Sequence, residues 1–185
     1  METVMSEPLS APSVMFIASV MHSSGGCLEA AVEALVKLFG RVAMVSGEYP
    51  FELSDYYAEE MGPGLRRNWL AFERLVDPSR LPAWKHECHA IEIRLSREDG
   101  SRLVNIDPGY LDFGKLVLAS FKEAPDKVYM GDGVWAHTCL RYGHGGFSAP
   151  DHSFPDFRDG RFDGFMLEAR RAFRRILRSA GDGDL

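Results

Sequence analysis

The sequence predicts an α+β fold: an antiparallel sheet with helices on one face, extended by a β-hairpin and a C-terminal helix. Three observations carry this. Val14–Val20 is a short run apolar on both faces, as suits a central strand. Two amphipathic stripes at helical spacing lie between strand-like segments, in the order strand-helix-strand-strand-helix-strand over residues 14–107. Asp132-Gly133, set between β-prone runs, marks a hairpin. The order is that of a split βαβ, ferredoxin-like sandwich.

After the first strand, Ser23-Ser24-Gly25-Gly26 breaks the chain and opens a helix with Leu28, Val32, Leu35, Leu38 and Phe39 on one stripe. Gly40 stops it. Val42, Met44, Tyr49, Phe51 and Leu53 alternate as strand residues do, with a break near Gly47. Met61–Gly64 is a turn, and Trp69–Val76 is the next strand. Asp77-Pro78 is an N-cap followed by proline, and Leu81, Trp84, Cys88, Ile91 and Leu95 form the stripe of the helix beyond it. A turn at Glu98–Ser101 leads into a strand from Leu103. Val117–Ala119 fits a strand or a short helix equally well. Gly143 to Gly160 reads as a loop, and a last helix runs from Phe165 to Arg178. The predicted organisation is a lead-in over residues 1–13, one α+β domain over 14–178, and a flexible tail over 179–185.

The charge balance is 21 basic against 27 acidic residues, −6 at pH 7, which disfavours a protein that coats nucleic acid nonspecifically. No stretch has the ~18 apolar residues of a membrane span, and none resembles a signal peptide. Cys27, Cys88 and Cys139 are odd in number and lie in no paired spacing, so reduced thiols and a cytoplasmic location are expected.

Chemistry concentrates in one glycine-punctuated block. Asn105-Ile106-Asp107-Pro108-Gly109-Tyr110-Leu111, Lys115-Leu116-Val117-Leu118-Ala119-Ser120 and Tyr129-Met130-Gly131-Asp132-Gly133-Val134 follow one another, preceded by Asp55-Tyr56-Tyr57 and Glu60-Met61-Gly62-Pro63-Gly64-Leu65. Together these motifs resemble a prokaryotic family known as domain of unknown function 4416, over residues 14 to 173. The resemblance implies no activity, cofactor or partner. The chain departs from the family pattern at His137, where a carboxylate is usual, and at His152, where a tryptophan is usual, so neither histidine is carried over as a functional residue.

Within the block, alternation puts Asn105 and Asp107 on one strand face, an amide beside a carboxylate. The plainer reading is an Asp-Pro-Gly turn. Lys115 and Lys122 supply cations for a phosphate or carboxylate, or are simply solvated. Ser24 and Gly25, at a helix start, have the geometry of an anion site, though the Walker lysine and dinucleotide glycines are absent. His86-Glu87-Cys88-His89 lacks the further ligands of a zinc site, and no metal is expected. Arg170, Arg171, Arg174, Arg175 and Arg178 form either a solvated helix face or a surface for RNA.

Two functions remain. One is a small-molecule site for a phosphorylated or nucleotide-like ligand, with catalysis left open, built on Asn105, Asp107, Lys115, Lys122, Ser24 and Gly25 and lidded by the Gly143–Gly160 loop. The other is a noncatalytic module for RNA or a protein. The acidic whole favours the solvated reading of the arginine helix and predicts no nucleic-acid binding at physiological salt. The cofactor, if any, is unknown. Asp107→Ala is expected to abolish binding with little loss of stability.

Overall fold

β1 (Val14–His22) is buried along its whole length, which requires cover on both faces of its sheet. The computed structural model describes residues 7–51, 57 and 60–181. The start of the predicted lead-in (residues 1–6), Leu53, the Asp55-Tyr56 part of one motif and the tail beyond Gly181 lie outside the described residues.

Chain order after β1 is α1 (Gly25–Phe39), β2 (Val42–Val45), β3 (Tyr49–Pro50), β4 (Arg66–Val76), a 3-10 turn (Pro78–Arg80) and α2 (Leu81–Arg94). Then come β5 (Val104–Leu111), β6 (Lys115–Ser120), β7 (Val128–Gly131), β8 (Val134–Gly143), β9 (Gly146–Ser148), α3 (Pro155–Arg158) and α4 (Asp163–Gly181). The strands form one nine-stranded antiparallel sheet, in the order β2-β4-β1-β5-β6-β8-β7, with β3 on β4 and β9 on β8. Nine strands exceed the roughly four of a ferredoxin-like sandwich.

Helices cover both faces, not one. Phe16, Ala18 and Val20 of β1 point to the face under α1 and α2, where Leu35, Phe39, Trp84 and Ile91 close over them. Met15 and Ile17 point the other way, into a second core with Trp69, Leu116, Met166 and Phe173, so the C-terminal helix α4 sits opposite α1 and α2. A strand apolar on both sides cannot leave one face to water, and α4 supplies the missing cover.

Local signals behave as their chemistry demands. The Ser24 side chain accepts from the Cys27 N–H at the start of α1, and the Gly40 N–H closes its end on the Val36 carbonyl. Asp77 caps the turn before α2 by accepting from the Ser79 N–H at 2.9 Å. Asp132 and Gly133 both have positive φ (53° and 73°), the pair of values a type I′ hairpin turn needs. Val117–Ala119 lies on a strand. Two expectations change. The Asp107-Pro108-Gly109 segment is no turn, for β5 runs straight through it. The segment from Gly143 to Gly160 is not all loop: His144-Gly145 turns a second tight hairpin into β9, and Pro155–Arg158 is a short helix. Cys27, Cys88 and Cys139 are all unbridged, and the last two are buried.

Candidate functional site

Pro108 and Gly109 explain where the site lies. Residues 104–111 of β5 pair with β1 throughout, but β6 pairs only with Gly109, Tyr110 and Leu111. Upstream of Gly109 the sheet therefore splits, and the outer edge of β5 has no strand beside it. Backbone groups on that edge still need partners in a buried setting. Two side chains from α2 provide them: Glu92 Oε1 accepts from the Ile106 N–H at 2.5 Å, and Lys85 Nζ donates to the Ile106 carbonyl at 2.9 Å. Pro108 points its missing N–H to the same edge, where no ladder bond is lost.

Through this split Lys85 reaches Asp107, donating to Oδ1 at 2.9 Å. Burial alone would lower the lysine's pKa, but Asp107 and Glu92 hold it above its ordinary value. Burial would raise Asp107, yet Lys85 first, then Arg67 and Asn105, keep its carboxyl below the usual carboxylate range. Asn105 donates to Asp107 Oδ2 at 3.0 Å and accepts from Arg102 at 2.9 Å, and Arg102 grips Glu60 through two bonds of 2.7 and 2.6 Å. Asn105 and Asp107 do share a face, as alternation requires, and they belong to a relay running from Glu60 to Lys85.

Asp107 opens onto a cavity of about 420 Å³ laid across five adjacent strands. Its floor carries Arg67 from β4, Ser19 from β1, Asp107 from β5, Ser120 from β6 and His137 from β8. Phe51 and Tyr57 wall one side, while Phe154 and Phe157 at α3 wall another. Lys122 and Lys127, from the connection between β6 and β7, complete it. Arg67 makes a buried ion pair with Asp156, and its guanidinium lies 4.9 Å from the Phe51 ring. Arg67 Nε and Asp156 Oδ1 are buried with no hydrogen-bond partner among the described residues. Lys122 Nζ sits 5.2 Å from the Tyr57 ring. Burial, then Asp107, raises the Tyr57 hydroxyl pKa.

Lys127 Nζ donates to Ser120 Oγ at 3.0 Å and to the Lys122 carbonyl at 2.8 Å. Burial lowers its pKa, and the neighbouring Lys122 and Lys85 add to the effect against Asp107 and Cys139. His137 is buried beside it, its ring 5.4 Å from that of His152. His137 and His152 thus lie against each other.

Burial, then Lys127 and His152, lowers the His137 pKa from 6.5 to about 4, against a smaller opposing effect of Asp126. An unfolded chain holds that imidazole near its ordinary value, so between about 4 and 6.5 the unfolded state binds the extra proton. The stability that neutral His137 contributes is whole above pH 6.5 and is lost as pH falls through about 4. Urea unfolding across this window should show that loss, and His137→Gln should flatten it. Equal slopes in the two proteins would remove His137 as the cause.

Of the residues singled out in sequence, Asp107 and Lys122 line this cavity and Asn105 braces Asp107. The others lie elsewhere. Lys115 pairs with Asp112 at 2.5 Å in the β5–β6 turn. Ser24 caps α1 and borders a different, smaller hollow beside Cys27 and Leu95, and Gly25 begins α1 next to it. His86 and His89 flank Phe121, with His86 Nε2 on the Asp132 carbonyl, and Cys88 is core. Among the described residues no three His, Cys, Asp or Glu side chains converge as metal ligands do. Arg170 lies 3.6 Å over the Tyr142 ring and donates to the Phe113 carbonyl, so part of the arginine face is committed to packing. No helix among the described residues is long and apolar enough to cross a membrane.

Arg67, Lys127, His137 and Asp156 are site residues that sequence reading passed over. Lys85 and Glu92 left a signal: they stand seven apart, two turns, on the flank of the α2 apolar stripe. Arg67 and Asp156 are 89 residues apart and left none.

A family model described as domain of unknown function (DUF4416) matches residues 12–173. The chain belongs to that family. The matched span contains every residue of the cavity and of the relay behind Asp107. No curated protein and no solved structure matches the chain.

Proposed function

We propose that the cavity over β4, β1, β5, β6 and β8 binds a small phosphorylated or nucleotide-like molecule. The observation that carries this is the pairing of aromatic walls with cations in one partly open cavity of ligand size. Phe51, Tyr57 and Phe154 offer faces for a planar group, and Lys122 and Lys127 offer charge for a phosphate. Buried polar atoms without partners are uncommon in folded proteins, and a ligand bearing both a donor and an acceptor would serve Asp156 Oδ1 and Arg67 Nε. Asp107, held ionised by Lys85, adds a fixed acceptor for a hydroxyl or amino group.

Calorimetry and thermal shift with adenosine, guanosine, cytidine and uridine monophosphates, ribose 5-phosphate and orthophosphate test this reading. One nucleotide or sugar phosphate should bind, and at about 100 times its Kd should add ~2.7 kcal/mol to unfolding. Lys122→Gln should weaken that binding about tenfold, the value of one charge-assisted hydrogen bond. No binding by any of these ligands would sink the proposal.

The finer fold reading belongs here too. We read β1, α1, β2, β4, α2 and β5 as a ferredoxin-like unit to which β6–β9 add a second half. Its support is the strand order β2-β4-β1-β5, in which β4 lies between the helix-linked β1 and β2.

A further inference from the structure

Resting on the reading of this cavity as a small-molecule site, we propose that Ser120 and Lys127 are a nucleophile and general base that hydrolyse a small ester, its anionic part held by the pocket's cations. The arrangement required is a hydroxyl and a base within hydrogen-bond reach, with the base oriented by a third group. Here the serine oxygen is 3.0 Å from the Lys127 nitrogen, and that nitrogen is tied to the Lys122 carbonyl at 2.8 Å. The Lys122 N–H donates to Ser120 Oγ at 3.0 Å, which fixes the hydroxyl from the other side.

The triangle accommodates a neutral amine as well as a charged one, in which Lys127 donates to Ser120 Oγ at 3.0 Å and the hydroxyl turns to the Lys122 carbonyl at 3.4 Å. With Lys127 uncharged, the Lys122 N–H donates to Ser120 Oγ, the Ser120 hydroxyl donates to Lys127 Nζ, and Lys127 donates to the Lys122 carbonyl. One N–H of the amine is then left for a ligand in the cavity. The downward pKa shift of Lys127, caused first by burial and then by Lys122 and Lys85, moves it towards that state. Lysine in water is a poor base at neutral pH because it is already protonated, and desolvation lessens that obstacle.

Ser120 Oγ attacks the ester carbonyl carbon while its proton passes to Lys127 Nζ. The carbon–oxygen bond to the alcohol breaks, the alcohol leaves with the proton from Lys127, and an acyl-Ser120 remains. Water then attacks the acyl carbon, giving a proton to Lys127. The acid departs, and Ser120 regains its hydrogen from Lys127. One water is consumed per ester and nothing is oxidised. Arg67 and Lys122 line the same cavity as cations for the oxyanion that develops on the carbonyl.

A fluorophosphonate probe on the full chain tests this, with the adduct located by peptide mass spectrometry. The folded wild type should carry one adduct on Ser120, formed at a rate that climbs with pH as Lys127 loses its proton, at lower pH than an ordinary lysine would. Lys127→Arg keeps a donor but stays protonated and cannot act as a base, and should label about 100-fold more slowly. Absence of an adduct on Ser120, a flat pH profile in the wild type, or equal rates in Lys127→Arg would each overturn the dyad. The wild-type profile decides the matter even if the variant fails to fold. Thermal shift with nucleotides separates the two readings: an unreactive serine with a bound nucleotide rejects the dyad alone, and a reactive serine without nucleotide binding rejects the ligand class alone.

Discussion

Alanine at Gly109 should cost more than about 3 kcal/mol of stability, beyond the usual range for overpacking. A Cβ at this position would stand 2.0 Å from the Val117 carbonyl oxygen and 2.7 Å from Leu118 Cδ2. The nearer atom is backbone, on the paired strand β6, so no side-chain rotation relieves the clash. β5 and β6 would have to separate at Gly109↔Leu118, the first pair after the split. Urea unfolding, or recovery of soluble protein if the variant does not fold, measures the effect. A Gly109→Ala protein melting within a few degrees of the wild type would mean the strands part there at little cost.

Asp107→Ala should be the second large effect, costing about 3 kcal/mol, because it strands a buried cation. The Lys85 side chain is 5% exposed and that of Asp107 31%, so the lysine cannot turn to water when its partner is removed. This differs from the expectation drawn from sequence, that Asp107→Ala abolishes binding with little loss of stability. A double-mutant cycle shows the cause. Lys85→Met alone frees the Ile106 carbonyl and should also destabilise, whereas in the Asp107→Ala background it should recover part of the loss. Strict additivity of the two changes would show that Lys85 and Asp107 do not act as a pair.

The sequence carried the elements wherever a local rule governs the backbone. The apolar run of β1, the stripes of α1, α2 and α4, the Asp77 cap and the Asp132-Gly133 turn are each decided within a few residues of themselves. The His144-Gly145 hairpin escaped because β9 is three residues long and sits among glycines that read as loop. The site was legible only in part. Asn105 and Asp107 showed as neighbours on one face because strand alternation is local. Lys115 looked as promising as Lys122, since nothing local distinguishes a lysine folded onto Asp112 from one at a cavity rim.

By itself, the sequence determined the α+β class, the places of its longer elements along the chain and the polar block that holds Asn105, Asp107 and Lys122. Tertiary structure alone decided that α4 covers the face opposite α1 and α2, that the sheet splits upstream of Gly109, and that the split brings Lys85 from one side of the sheet to Asp107 on the other. It also decided that Arg67, Ser120, Lys127, His137 and Asp156 meet in one cavity. The physical reason is range. Helix stripes, caps and turns are set by neighbours three or four residues away, whereas the cavity is set by strand order and register, which depend on pairings between distant segments that no local pattern encodes.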